Sequence, residues 1–473
     1  MQNFTNNFLS NWINFWVFIF CITSIAITGH GGEAAIMLLF TMGYVFLSPN
    51  HNKLSFSLNK DEKIFLLLIF LFWLINLINT IFLPQGLEFE NSRIALRAMD
   101  NPMRWLLMIP IFFLLRLYKI DWRVIAIGLS IGTFISVGIA AYQIYFLEFH
   151  RARGSFNNEI TFGELMVVID LLLWVLMLFA WNNKNKIYFF ILFFASLLAL
   201  YGSLLSITRG AWLVYLVLII SFILYAIKRG INNRSFLLSK PIIFRIFFTI
   251  VIFVFISQTN QYQLIKDRAT QVFIETLQGN YQAAAGGRLV LFKTAFKISR
   301  HYPLGVGTNN FREGGKAVII LDAKNNSNII VKDNNNLEIP IEGLIDNLNQ
   351  FYYLQSFNQD GSLRYTSRFR HAHNEWLNVL AENGIIGFIL LTLIFISSFK
   401  IFWKNINHKN ELIGIYSYSG MLLIFSFAIF GQTQSIFTSH AALLFFIFFL
   451  FLFIAQISKL NNDDKLKKEL LNS

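Results

Sequence analysis

The sequence predicts an all-α polytopic membrane protein, with about 12 transmembrane helices and one large, partly helical loop on the far side of the membrane. Three observations predict it. The 473 residues are 55% hydrophobic and 17% aromatic but only 14% charged, where a soluble globular chain carries roughly 25% charge. Apolar runs of ~20 residues, the length that crosses a bilayer as a helix, recur along the chain. The basic residues between those runs fall on alternate sides. The composition excludes a disordered chain and a collagen. The single cysteine, Cys21, excludes an intramolecular disulfide framework. A net charge of +13 would suggest nucleic acid in a soluble protein. Here it reads as Lys- and Arg-rich cytoplasmic loops, and no nucleic-acid partner is expected.

Twelve segments read as spans: 12–30, 33–48, 63–83, 104–120, 123–147, 160–181, 187–206, 210–227, 241–257, 375–399, 412–431 and 437–457. The second and fourth are short and read as tilted or re-entrant. The start MQNFTNNF has no basic region and no small-residue cleavage site, so the first span reads as a retained anchor. With the N-terminus inside, the loops after every second span carry the bases, among them Lys60, Arg116, Lys186, Arg229, Lys404 and Lys465. The positive-inside rule requires that arrangement. The chain then divides into 1–257 (spans one to nine), 258–374 (the large loop on the opposite side) and 375–473 (spans ten to twelve and a cytoplasmic tail). Within the loop, QAAAGGRLVLFKTAFKISR (282–300) has helical spacing and HYPLGVGTNNF (301–311) reads as a turn. The Asn-rich KNNSNIIVKDNNN (324–336) reads as a flexible surface excursion. No internal repeat is visible, inverted or otherwise.

Four positions meet the far edge of the membrane under this topology. They are Arg153 in HRARGSFNNEITFGE, Arg209 in SITRGAW, Arg288 in AAAGGRLVLF and His373 in RFRHAHNEWLNVLAENGIIGF. Arg209 sits between two long apolar runs, where a charge is costly unless hydrated or paired. The bland reading is a snorkelling arginine at a helix end. For Arg153 and Arg288 it is a solvated loop or helix face, and for His373 a helix-capping polar residue. The sharper reading is chemical. Guanidinium forks suit phosphate oxygens, so two or three arginines converging there bind a pyrophosphate well. A histidine beside them can take a proton from a hydroxyl. His371 is the competing histidine; on a helix the two rings would point in different directions. No GK[ST] phosphate loop, HExxH, CxxC or Asp-x-Asp pair occurs, so no metal or nucleotide site is expected. The GVG at 305–307 lacks the full dinucleotide fingerprint. Glu33, Glu164 and Asp170 could suggest an ion path, but they form no obvious chain.

TRGAW after a span, GGRLVLFKTAFKISRHYPLGVGTNNF, and HAHNEWLNVLAENGIIGF with Glu382, Gly384 and Gly387 together resemble the O-antigen ligase / O-antigen polymerase superfamily. The resemblance covers roughly 150–390, and RGSFNN resembles the segment before that family's middle spans. It implies a GT-C-like, multi-pass protein of the bacterial inner membrane with its active site facing the periplasm. It implies a glycosyltransferase whose donor is a glycan on undecaprenyl pyrophosphate, with no metal and no cofactor. Membrane lipid surrounds it. A ligase moves the glycan to lipid A–core, a polymerase to another lipid-linked repeat, and a protein O-oligosaccharyltransferase to Ser or Thr. The motifs and the absence of a recognisable extra C-terminal domain favour the ligase. The family's catalytic residues map onto Arg209, Arg288 and His373. Arg153, Asn374, Glu375 and His371 are expected as substrate contacts. The implied chemistry is an inverting displacement: the arginines stabilise the leaving pyrophosphate and the histidine activates the acceptor hydroxyl. A lipid-glycan flippase is the competing class. It predicts charges along mid-membrane cavities and repeated halves, whereas the charges here gather at one face.

Overall fold

A computed structural model of the chain describes residues 2–27, 30–48, 57–89, 92–215, 240–278, 287–326, 328–340 and 351–472. The helices, in order, are α1 Gln2–Ala26, α2 Gly31–Leu47, α3 Lys60–Ile81, α4 Ser92–Arg97, α5 Asp100–Leu117, α6 Trp122–Tyr145, α7 Glu159–Asn182 and α8 Lys186–Leu205. A helix α9 is described over 209–215. Then come α10 Lys240–Ser257, α11 Asn260–Leu277, α12 Arg288–His301, α13 Phe311–Asn325, α14 Glu375–Asn405, α15 Glu411–Thr433 and α16 His440–Asn472.

Among the described residues nine helices are long and apolar enough to cross a membrane. This is a multi-pass, all-α membrane protein. The runs at 33–48 and 241–257 also form apolar helices, but shorter than that measure. The run at 210–227 is helical to residue 215, and its remainder lies outside the described residues. So do Arg229 and Arg234.

Two helices, α7 and α16, are buried almost all round. Both are apolar on every face, as a helix must be when neighbours surround it. Helix α7 packs on α8 and α15, and α16 on α5 and α15. In the outer helices α1 and α3 only about a third of the span is buried. Small residues bring backbones together: a Cβ on Gly132 of α6 would lie 3.0 Å from the Ile22 carbonyl oxygen of α1. Two buried arginines are paired with carboxylates. Arg116 bonds Glu62 at 2.9 Å, and Arg245 of α10 bonds Asp170 of α7 at 2.7 Å. The Tyr215 hydroxyl donates to the other Asp170 oxygen at 2.8 Å. Asp170 is therefore a tie between helices. Glu33 pairs with His30 at the surface, so the three carboxylates noted in the sequence go separate ways.

Two helix ends that the sequence places on the same side meet at one end of the bundle. Lys400 and Lys404, late in α14, reach Asp61 at the start of α3 (3.2 and 3.3 Å). At the other end, α14 is too long to be all membrane-embedded. Its 31 residues span ~46 Å at 1.5 Å per residue, against ~30 Å of hydrocarbon. Gly384 breaks it at φ 67°, ψ −170°. The outward-facing apolar side chains begin just after, at Ile385, Ile386 and Ile389, and continue to Trp403. The 375–384 half-helix thus stands above the hydrocarbon.

The segment between α10 and α14 packs against that half-helix. Pro303, Val306 and Gly307 form a ladder with it: Ile385 N–H donates to the Pro303 carbonyl, and Val306 and Gly307 donate to Ala381 and Glu382. Gly305 and Gly307 have φ of +100° and +97°, and a side chain at Gly305 would collide with the Glu382 carbonyl. The GVG turn is therefore a docking surface for the helix break. Asn76 and Asn79 of α3 hold the same turn, through the Thr308 hydroxyl (3.0 Å) and the Leu304 carbonyl (2.8 Å). A three-stranded antiparallel sheet completes the unit: β1 Ile330–Lys332, β2 Gln355–Phe357 and β3 Leu363–Thr366, in that order. In β1–β2, Val331 faces Ser356. This corrects the reading of 324–336 as a flexible excursion. Its middle is strand β1, and the Asp333 carboxylate accepts from the N–H groups of Asn335 and Leu337, both at 2.8 Å. Asparagine-rich composition concealed a side-chain-anchored turn. The helix expected over 282–300 is described from Arg288; residues 279–286 lie outside the described residues.

Candidate active site

Three helix starts build the site. The first is α14. Asn374 caps it, its side-chain oxygen accepting from Leu377 N–H at 3.1 Å, while its amide approaches Gln432. One residue earlier, His373 is held at φ 53°, a left-handed conformation that costs a non-glycine residue energy. Several contacts hold it there. Its Nδ1 lies 2.6 Å from Gln434 Oε1, and Ala372 N–H donates to Asn378 Oδ1 at 3.0 Å. An amide oxygen only accepts, so Nδ1 carries the hydrogen and Nε2 keeps a free lone pair. Burial is the main reason the imidazole sits below its ordinary value; the Gln434 bond opposes this and Arg288 adds to it. The shift favours the neutral imidazole near neutrality.

His371 does not point away. The segment before α14 is a bend, and the two rings meet edge to face with centroids 4.3 Å apart. Burial, and then His373, push His371 down to about 4. Phe369 closes the other side of His373 at 5.2 Å.

The second and third starts carry arginines at their first residue. Arg209 opens α9 after a tight 206–208 turn, and Arg288 opens α12 behind Gly287 at φ 77°. A cation at a helix N-terminus opposes the macrodipole, so positive potential accumulates where an anion is best received. Burial pushes the Arg288 guanidinium below its ordinary value; Glu164 holds it up and Arg209 pushes it further down. That places Arg209, Arg288 and the buried Glu164 of α7 within electrostatic reach of one another. The end of α15 joins this cluster to His373. A Cβ on Gly210 would lie 2.8 Å from Thr433 Oγ1 and 3.7 Å from Glu164 Oε1, and the next residue, Gln434, holds His373.

The structure brings together Arg209, Arg288 and His373, with His371 beside them. Asn374 serves the cap. Glu375 turns the other way, accepting from Phe437 N–H at 2.9 Å and lining a small cavity of about 50 Å³ with Glu382. Arg153 is exposed, its guanidinium 5.6 Å from the Phe149 ring. Its neighbour Arg151 instead reaches the turn before Arg209, donating to the Ser206 carbonyl at 3.0 Å and to Thr208 Oγ1 at 3.3 Å. Gln434, Arg151 and Glu164's place in the cluster were not readable from the sequence. Gln434 sits in GQTQS, between two apolar runs, with no local signal of its own.

Residues 194–392 match the family model described as O-antigen ligase. The match bears out the resemblance to the O-antigen ligase/polymerase superfamily, and it spans Arg209, Arg288 and His373 but not Arg153 or Glu164. The chain is also 25% identical over 443 residues to a protein of Haemophilus influenzae called "Uncharacterized protein", covering 93% of this chain and 97% of that one.

Proposed function

We propose that the protein is an O-antigen ligase of the bacterial inner membrane, working at its periplasmic face. It moves a glycan from undecaprenyl pyrophosphate to a sugar hydroxyl of lipid A–core. The observation that carries this is the meeting of two helix-opening arginines with a neutral histidine at the end of the bundle opposite the basic loops.

The chemistry follows from the geometry. Breaking the anomeric carbon–oxygen bond leaves negative charge on the pyrophosphate. Arg209 and Arg288 meet that charge, and each such fixed donor is worth ~10²–10³ in rate. Glu164 lies within electrostatic reach of Arg288, and one carboxylate leaves the two-arginine cluster net positive. His373 Nε2 accepts the proton of the attacking acceptor hydroxyl, a contribution of ~10²–10⁴. Gln434 holds the tautomer that leaves Nε2 free. Attack opposite the leaving pyrophosphate inverts the anomeric centre. The pyrophosphate is already an activated leaving group, so the displacement requires neither a metal nor a nucleotide.

A lipopolysaccharide gel from a clean deletion strain, with its lipid-linked pool, tests the reading. The expected result is core without O-antigen, and long glycan accumulating on undecaprenyl pyrophosphate. Core bearing a single repeat would make the protein a polymerase, and an unchanged gel would overturn both.

A further inference from the structure

We propose that the groove between α12 and the β2–β3 hairpin seats the anionic head of the membrane-anchored acceptor. This deepens the transferase reading and rests on it for the word acceptor.

The groove is a cavity of about 900 Å³, at the upper end of what ligand pockets occupy. Four of its lining residues are basic and none is acidic. Lys293, Lys297 and Arg300 stand at i, i+4 and i+7 on α12, so they share one face of the helix. Arg364 approaches from β3. Behind them Asp322 holds Arg364 at 2.6 Å and Lys297 at 3.3 Å, which fixes two cations and leaves the wall positive. Lys293 and Arg300 are exposed and make no ion pair among the described residues. The Tyr365 ring lies beside the fixed pair, 5.9 Å from Lys297 Nζ and 5.3 Å from the Arg364 guanidinium. Fixed cations beside an aromatic face suit a phosphorylated or carboxylated sugar.

Its level in the membrane points to a lipid-anchored ligand. The chain leaving α12 docks at 303–307 on the break of α14, where the lipid-facing side chains begin. Phe296 and Leu304, on and just after α12, are themselves exposed. The groove therefore lies where the charged head of a lipid sits. Its distance from the chemistry also fits. Along α12, Lys293 and Arg300 are ~8 and ~18 Å from Arg288. An acceptor anchored there can extend its sugars to His373. The pyrophosphate already has its own cations in Arg209 and Arg288, so the second cationic wall serves the second substrate.

The test uses the full-length protein in phosphatidylcholine nanodiscs, with lipid A–core as the probe. Lys293→Glu/Arg300→Glu should raise the KM for lipid A–core at least tenfold and leave the KM for the lipid-linked donor unchanged. Lys293→Arg/Arg300→Lys should restore it. Phosphatidylglycerol at equal charge should not compete. An unchanged acceptor KM in the Glu variant, or full competition by phosphatidylglycerol, overturns the proposal. If the wild-type protein transfers nothing, the transferase reading fails, and direct binding of lipid A–core decides the groove separately. Tenfold weaker binding in the Glu variant supports it, and equal binding overturns it.

Discussion

His373 ties conformation to chemistry at the scale of one residue. Its backbone is left-handed, its Nδ1 is committed to Gln434, and its ring is packed between Phe369 and His371. The neutral form is the reactive one, and burial keeps the imidazole below its ordinary 6.5. Transfer should therefore hold steady from neutral into mildly acidic pH and fall only as His373 gains its proton. A pH–rate profile of the purified protein checks this; a rate already halved at pH 7 would contradict it. Gln434→Leu should cut the rate about tenfold by freeing the tautomer, with little change in donor KM. His371 has a separate effect, on stability. Between pH 6.5 and about 4 the unfolded chain binds a proton there that the folded chain does not. Stability is unaffected above that window and falls as pH drops through it. Melting in detergent should show this loss, and His371→Phe should flatten it. Arg209 was legible in the sequence because it lies between apolar runs, and Arg288 and His373 because they fall in the motifs that carry the family resemblance. Gln434 was not, because its partner is 61 residues away. The different contacts of Arg151 and Arg153 needed the fold, since both lie in one polar loop.

Among the elements, α14 does most to position the site. Its upper half directly follows His373 and rests on the GVG turn, backbone against backbone, with glycines on both sides. Gly305→Ala should clash with Glu382 and strain a positive φ. The expected cost is ~2–3 kcal/mol or more of stability, read as a lower melting temperature together with lost transfer. Normal melting would contradict the docking role. The sequence showed both motifs, but their contact joins residues 75 to 82 positions apart, which one sequence cannot reveal. The small sheet escaped for a local reason: strands of three and four residues carry too little alternation to read. Helix α10 offers a second check. Arg245→Leu alone should destabilise by ~3–5 kcal/mol, because it leaves Asp170 charged and buried. Adding Asp170→Leu should recover most of the loss; a double variant as unstable as the single would contradict the pair.

For the whole molecule, composition and hydropathy were enough to identify a membrane bundle, because the bilayer imposes a length and an apolarity that sequence displays directly. They also sorted the loops by charge. Cysteine labels at Asn335 and Lys409, in a background with Cys21 replaced by Ala, should react from opposite sides of the membrane, Asn335 from the periplasm. Labelling from one side only would overturn the orientation and the site with it. The central claim is that Arg209, Arg288 and His373 form one transfer centre. Its most direct measurement is single-turnover transfer by purified protein in nanodiscs, from undecaprenyl-pyrophosphate-linked glycan to lipid A–core, comparing wild type with His373→Ala, Arg288→Ala and Arg209→Ala. The account predicts that each variant melts like wild type but loses at least ~10² in rate. Wild-type rates in all three well-folded variants would contradict it.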